Sequence, residues 1–194
     1  QGIEREIPIH VYAKPNQIDK VAGTFVNTKE IAAFYEDKFG PYPFNRIGYV
    51  STNLGGMEHV DNIALASSLI NGKATFDNEN FIAHEMSHAW FGNKVTCATA
   101  EEMWLNEGFA TFCNYYYLTK LYGEELYQEY MNDLINNIIL SCHAKEGWIP
   151  LNDIPLDITY GMTAYDKGAV VVHSLMNYLG RDTFDAAIRH YLDK

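Results

Sequence analysis

The sequence predicts an α+β fold in which a small mixed sheet is followed by a mostly helical half. Segments with strand character lie within the first 67 residues, whereas helical patterns fill most of the chain after residue 76. Separation of strands from helices along a chain is typical of the α+β class. With 194 residues, of which 47% are hydrophobic and 20% charged, the chain is long enough to bury one sizeable core.

Three strands are predicted to form the sheet. The first covers Glu6 to Ala13, where apolar and polar residues alternate with the period of a strand. Pro15 follows it and ends the alternation. The second and third are predicted over Arg46 to Ser51 and Asn62 to Ser67.

Six helices are predicted from apolar periodicity and from the residues at their ends. Thr28 to Phe39 begins with a capping residue and stops at Gly40 and Pro41. The next helix is predicted to be capped by Asp77 or Asn78 and to end at Gly92. A third helix is predicted to begin with the capping-box pair Thr99 and Glu102 and to end at Tyr122. The remaining three are predicted over 124–141, over 163–179 and from a cap at Asp182 to the end of the chain.

Composition excludes several classes of partner. The formal net charge of −11 argues against binding to nucleic acid or to an anionic membrane. No apolar run approaches the length of a membrane span, so we expect a soluble domain, either cytoplasmic or exported. Cys97, Cys113 and Cys142 are widely spaced and are predicted to be ordinary buried thiols.

The helix that follows the sheet carries the sequence His84-Glu85-Met86-Ser87-His88, an H-E-x-x-H motif. At about 100° per residue, His84 and His88 lie about 40° apart on one face, where two imidazoles can bind one metal ion. Glu85 lies beside His88 and can reach a water molecule at the metal without being a ligand. The alternative is a chance match on an amphipathic helix.

Glu107 is the candidate third ligand. It shares a helical stripe with Met103 and Ala110 and therefore points inward among apolar neighbours. Glutamate is almost never buried unpaired, so a cation is expected beside it, although a buried salt bridge remains an alternative. Two imidazoles, one carboxylate and an open fourth position form the pattern of a catalytic zinc site, and a neighbouring carboxylate can move a proton from water to a leaving amine. The implied reaction is hydrolysis of an amide.

A second candidate segment, Gly55-Gly56-Met57-Glu58, lies between the second and third strands. Two glycines there allow the close approach of another backbone, and an exposed sheet edge can take a peptide as an added strand. Glu58 would stand at one end of such a groove. A hairpin with a solvated glutamate is the open alternative.

The spacing of these motifs resembles the M1 family of zinc aminopeptidases, the group of aminopeptidase N and leukotriene A4 hydrolase. Eighteen positions, 89–106, separate the H-E-x-x-H motif from Glu107. The other matching motifs are Trp104-Leu105-Asn106-Glu107-Gly108-Phe109-Ala110 around that glutamate, Gly55-Gly56-Met57-Glu58 upstream and Tyr165-x-Lys167-Gly168 downstream.

The resemblance implies a thermolysin-like (gluzincin) catalytic domain over residues 1–194, with the family's N-terminal β domain and C-terminal helical domain expected outside this chain as partners. It implies one Zn²⁺ per chain on His84, His88 and Glu107, with Glu85 as general base. The substrates implied are peptides with a free N-terminus, from which the N-terminal residue is hydrolysed.

The resemblance also implies roles outside the metal ligands. Tyr165 matches the family tyrosine that stabilises the oxyanion, although the residues alone leave Tyr160 and Tyr178 as rivals. Glu58 matches the glutamate that binds the substrate's α-amino group, and Gly55, Gly56 and Met57 complete that substrate-binding segment.

Two residues depart from the family pattern. His59 stands where the upstream motif usually has asparagine, and Asn114 stands where many members carry a second glutamate. The alternatives to an aminopeptidase are an endopeptidase, an epoxide hydrolase and an inactive scaffold. The Gly55 to Glu58 segment favours an exopeptidase over an endopeptidase, and the presence of every catalytic residue argues against a scaffold.

Overall fold

The computed structural model describes residues 6–194, in which three strands form one parallel sheet. The strands are β1 (Ile9–Tyr12), β2 (Ile47–Thr52) and β3 (Ile63–Ala66), in the order β1-β2-β3. An antiparallel bridge between Met57 and Ala64 gives the sheet its mixed character. All three predicted strands are confirmed in place, and each is slightly displaced or shortened at its ends.

Helices make up most of the remaining chain. They are α1 (Ile18–Thr24), α2 (Thr28–Phe39), α3 (Phe76–Ser87), α4 (Trp104–Tyr122), α5 (Glu124–Asn137), α6 (His143–Lys145), α7 (Gly168–Leu179) and α8 (Arg181–Leu192). Two π-helical turns cover Ile138–Cys142 and Thr163–Lys167. The α+β architecture of a small sheet and a mostly helical half is as predicted.

Helix α1 was not predicted. It lies with α2 between β1 and β2, so the two helices form the crossover that parallel strands require. A Cβ added at Gly23 would lie 2.2 Å from the main-chain oxygen of Gly72, so α1 is packed backbone against backbone on a distant loop. That contact joins residues far apart in the chain and has no local sequence pattern.

Several predicted helix ends are wrong in detail. Thr75, not Asp77 or Asn78, caps α3, because Thr75 is extended and its hydroxyl accepts from the amide of Asn78. The predicted end of that helix at Gly92 is also too late, since α3 ends at Ser87 and a series of turns continues to the glycine.

The predicted capping box before α4 does not form. Glu102 instead accepts a hydrogen bond from the indole of Trp104, and a short 3-10 turn over Ala100–Glu102 precedes the helix. The predicted end of α4 at Tyr122 is observed, and Gly123 follows it with φ of 88°. The predicted helices over 124–141 and 163–179 each contain a π-helical turn, which apolar periodicity does not reveal.

Buried tyrosines fix the position of α3. The hydroxyl of Tyr35 on α2 donates to the main-chain oxygen of Ala83, and that of Tyr49 on β2 donates to the main-chain oxygen of Ile82, both at 3.1 Å. Both rings are fully buried. Since Ile82 and Ala83 directly precede the H-E-x-x-H motif, these bonds hold the motif against the sheet and α2.

Two glycines set the distance between α4 and α7. A Cβ on Gly108 would lie 2.8 Å from the Cα of Gly168, and a Cβ on Gly168 would lie 2.9 Å from the Cα of Gly108. Only the absence of side chains lets the two backbones approach this closely. Their contact brings the π-helical turn before α7 next to Glu107. Among residues 6–194, no helix is both long enough and apolar enough to cross a membrane.

Candidate metal centre and active site

Helices α3 and α4 bring three metal-binding side chains to one point. The Nε2 atoms of His84 and His88 lie 3.2 Å apart, and the Oε2 atom of Glu107 lies 3.4 Å from each. His88 follows the last residue of α3 but keeps helical torsion angles, so the two imidazoles share one face as predicted. Glu107 points inward and is buried, also as predicted.

These distances fit a zinc-sized cation. In a tetrahedral site with ligand bonds of about 2.0–2.1 Å, neighbouring ligand atoms are separated by about 3.3 Å, close to all three measured distances. In addition, Oε2 of Glu107 is buried and accepts no hydrogen bond of acceptable geometry. A buried carboxylate oxygen without a donor is costly unless a cation, either a protonated imidazole or a metal ion, compensates it. The donor set of two imidazoles and one carboxylate therefore suits zinc.

Charge is strongly coupled within this cluster in the absence of metal. Burial alone would lower the pKa of His88, but Glu107, followed by Glu58 and Glu85, raises it to about 9. Burial would raise the pKa of Glu107, yet the two imidazoles lower it to about 2. Burial lowers the pKa of His84. The metal-free cluster thus holds an anionic glutamate beside a protonated His88.

The second nitrogen of each imidazole has a partner. Nδ1 of His88 lies 2.8 Å from the main-chain oxygen of Phe91 and donates to it, so Nε2 is the nitrogen that can coordinate a metal once it has lost its proton. Nδ1 of His84 lies 3.2 Å from the side-chain amide of Asn114. The amide oxygen can accept from Nδ1 there, whereas the reversed amide would donate to Nδ1 and to the main-chain oxygens of Thr111 and Ala110. A carboxylate at position 114, in contrast, could only accept a hydrogen bond from Nδ1 of His84.

Glu85 lies beside the three candidate ligands. One of its carboxylate oxygens, Oε2, is buried without a hydrogen-bond partner. Burial raises the pKa of Glu85 to about 8, against the effect of His88 and with the help of Glu58 and Glu107. A carboxyl group in these surroundings can hold a proton near neutral pH, which suits it to proton transfer.

The Gly55 to Glu58 segment runs over Glu85. Gly55 has φ of 70°, and a Cβ added at Gly56 would lie 2.2 Å from Cζ of Phe81 and 2.4 Å from Oε1 of Glu85. Side chains of α3 therefore take up the space that the second glycine leaves. Met57 pairs with β3, and the main-chain oxygen of Glu58 accepts from Asn93 at 2.7 Å.

Glu58 faces the cluster. Its carboxylate, that of Glu85 and a ring nitrogen of His88 all lie within 4.8 Å of one another. A cavity of about 240 Å³ contains Glu58, the three candidate ligands, Glu85 and Tyr165 together with Gly56, Met57 and Tyr160. Of the residues predicted for the site, only Gly55 is outside the lining of this cavity.

Tyr165 lies in this cavity with its ring parallel to that of His84, at a centroid distance of 6.2 Å and an interplanar angle of 9°. Burial and the neighbouring Glu107 raise the pKa of its phenol, so Tyr165 remains a hydrogen-bond donor. Its rival Tyr160 also lines the cavity but is 67% exposed. Tyr178 is 87% exposed and does not line it.

Sequence reasoning missed one residue that supports this tyrosine. The carboxylate of Glu146 accepts from the amides of Met162 and Thr163 at 2.7 and 2.8 Å, which caps the π-helical turn that carries Tyr165. These bonds lower the pKa of Glu146 against the opposing effect of burial. No local spacing links Glu146 to a turn that begins 16 or 17 residues later, so no sequence signal identifies it.

Comparisons with known proteins support the fold. A sequence profile of the peptidase family M1 domain matches residues 24–194. Similar proteins include aminopeptidase 2, mitochondrial, of Saccharomyces cerevisiae (28% identity over 97% of this chain) and endoplasmic reticulum aminopeptidase 1 of Rattus norvegicus (28% over 97%). The chain spans only 21% and 22% of the lengths of these two proteins.

Solved structures with the same fold include the M1 zinc metallopeptidase of Deinococcus radiodurans, with a TM-score of 0.73 and 25% identity. That alignment covers 86% of this chain and 36% of the other. Leukotriene A4 hydrolase of Saccharomyces cerevisiae aligns with a TM-score of 0.81 and 23% identity over 94% of this chain and 31% of the other. The predicted fold class is confirmed by these similarities.

Proposed function

The chain belongs to peptidase family M1, and we propose that it carries the zinc-dependent active site of an aminopeptidase. The proposed reaction is hydrolysis of the N-terminal residue from peptides that have a free α-amino group. The observation that carries the proposal is the meeting of three donor atoms at 3.2–3.4 Å in a cavity that also holds Glu58, Glu85 and Tyr165. The aminopeptidases among the similar proteins support the same reaction class.

His84, His88 and Glu107 would hold one zinc ion, because their donor atoms are spaced as neighbouring ligands of a tetrahedral site. When bound, zinc would supply Lewis-acid polarisation of the scissile carbonyl and would lower the pKa of the attacking water. The orientation of His88 is maintained by its hydrogen bond to the main-chain oxygen of Phe91.

Glu85 is the proposed proton carrier. Its carboxylate takes a proton from the attacking water and gives it to the nitrogen of the leaving amine. The buried position that raises its pKa in the metal-free protein stabilises the protonated form between those two transfers. Only a residue without a side chain fits at position 56, because a Cβ on Gly56 would overlap the carboxylate of Glu85.

Tyr165 and Glu58 are proposed to bind the two ends of the reacting residue. Tyr165 keeps its phenolic proton and donates it as a hydrogen bond to the carbonyl oxygen, where negative charge develops. Glu58 pairs with the α-ammonium group. An acylated amine would leave that carboxylate unpaired and desolvated, so the site discriminates against blocked peptides.

The proposal is tested with zinc-loaded protein and matched peptides that have free or N-acetylated amines. We expect one zinc per chain and hydrolysis confined to the free-amine peptides. Glu85→Gln should retain the zinc but lose about 10²–10⁴ in kcat, because an amide cannot accept the proton. Equal hydrolysis of the N-acetylated peptides would identify an endopeptidase instead, and full activity of Glu85→Gln would remove that residue from the mechanism.

A further inference from the structure

We infer that the cavity beside the metal centre that Glu58 does not line selects peptides whose second residue carries a positive charge. This inference rests on the proposed function. The cavity, which we call the leaving-side pocket, has a volume of about 500 Å³. The residues that line it but not the smaller cavity are Asp77, Asn80, Phe81, Thr111, Asn114, Tyr115 and Asp166.

The leaving-side pocket shares one wall with the smaller cavity. Gly56, His84, Glu85 and Tyr165 line both, whereas Glu58 lines only the smaller one. A peptide whose α-amino group pairs with Glu58 therefore places its first residue in the smaller cavity and its scissile bond beside the shared wall. The second residue then enters the leaving-side pocket.

The charge of the pocket is negative and uncompensated. Asp77 and Asp166 face it, and neither a lysine nor an arginine contributes to its lining. Among residues 6–194, no salt bridge within 4.0 Å involves either aspartate. The Oε2 atom of Glu85, which is buried and has no hydrogen-bond partner, belongs to the shared wall and offers a further hydrogen-bond acceptor there.

Asp166 is the better placed of the two aspartates. It is partly buried, and its Oδ2 atom accepts one hydrogen bond from Asn137 at 2.8 Å, which fixes the carboxylate but does not neutralise it. Burial is the largest influence on its pKa and raises it, so an incoming cation would stabilise the charged form. The rings of Phe81 and Tyr115 give the pocket aromatic surface against which a guanidinium group can pack.

The test compares Ala-Arg-Ala with Ala-citrulline-Ala, because citrulline has nearly the shape of arginine without its charge. With zinc-loaded protein we expect kcat/KM to be about 3- to 10-fold higher for the arginine peptide. This is the gain expected when the guanidinium group forms partly solvated charge pairs with Asp77 and Asp166. The preference should shrink when salt is raised from about 50 to about 500 mM.

Variants then assign the preference to this pocket. Asp77→Asn combined with Asp166→Asn should bring the ratio close to one, and Asp77→Asn alone, at an exposed position, should lower it partially. Asp19→Asn on α1 is the matched control, because it removes the same charge from an exposed residue outside the pocket and should leave the ratio as it is. A preference that persists undiminished in the double variant would overturn the inference.

A binding measurement separates this inference from the proposed function. Zinc-loaded Glu85→Gln is titrated calorimetrically with both peptides, and tighter binding of the arginine peptide is expected. Equal affinity and equal kcat/KM for the two peptides would overturn the pocket assignment and leave the aminopeptidase intact. Failure to hydrolyse either peptide would refute the proposed function, while the difference in affinity would still decide the pocket.

Discussion

Zinc binding should be strongly pH-dependent, because zinc must displace a proton from His88. In the metal-free protein, Glu107 and its acidic neighbours raise the pKa of that imidazole to about 9, against the opposing effect of burial. The raised pKa means that His88 is mostly protonated at pH values below about 9. Only the unprotonated imidazole can coordinate zinc, so protons and zinc compete for the same nitrogen.

The size of the effect follows from that pKa. At pH 7, two units below a pKa of about 9, about one molecule in 100 has an unprotonated His88, and that fraction rises about tenfold per unit of pH until the pH nears about 9. The apparent association constant for zinc should therefore rise about 100-fold from about pH 6.5 to about pH 8.5. With an ordinary histidine pKa of about 6.5, the same constant would hardly change above about pH 7.5.

The measurement is a competition titration of the metal-free protein against a chromophoric zinc chelator of known pH dependence. Glu107→Gln is the informative variant, since it removes a ligand and also the main group that raises the pKa of His88. Its affinity should be lower throughout, and its pH dependence should flatten above about pH 7. A constant affinity of the unmodified protein between about pH 7.5 and 8.5 would refute the proposed charge state.

Three further predictions follow from contacts around the site. Tyr165→Phe should lower kcat more than it raises KM, because the hydrogen bond to the carbonyl oxygen strengthens as negative charge develops. Steady-state kinetics at saturating zinc measures this, and a change confined to KM would contradict it. Glu146→Ala should lower kcat without changing zinc affinity, and it should reduce the free energy of unfolding by about 1–3 kcal/mol, because the amides of Met162 and Thr163 lose a charged acceptor. Steady-state kinetics and urea unfolding test this, and an unchanged kcat would show that Glu146 contributes only to stability. Gly168→Ala should reduce the free energy of unfolding by about 1–3 kcal/mol, because the new Cβ would lie 2.9 Å from the Cα of Gly108. A melting temperature equal to that of the unmodified protein would show that α4 and α7 can move apart without cost.

Local patterns in the sequence were sufficient wherever a feature depends on residues a few positions apart. The i, i+4 spacing places His84 and His88 on one face whatever surrounds the helix, and the stripe containing Glu107 turns that carboxylate inward. The three strands and most helices were identified for the same reason. Helix ends were less predictable, as at Thr75 and Glu102, because several neighbouring polar residues compete to cap the same amides.

The tertiary structure decided everything that depends on distances between elements. The separation of 3.4 Å between Glu107 and the two imidazoles results from the packing of α3 against α4, which buried tyrosines from α2 and β2 help to position. The π-helical turn that presents Tyr165 is held by Glu146 and by a close approach of two glycines 60 residues apart, Gly108 and Gly168. The leaving-side pocket likewise draws its charge from aspartates on separate elements. Such contacts join residues distant in the chain, and a local pattern carries no information about which of them will meet.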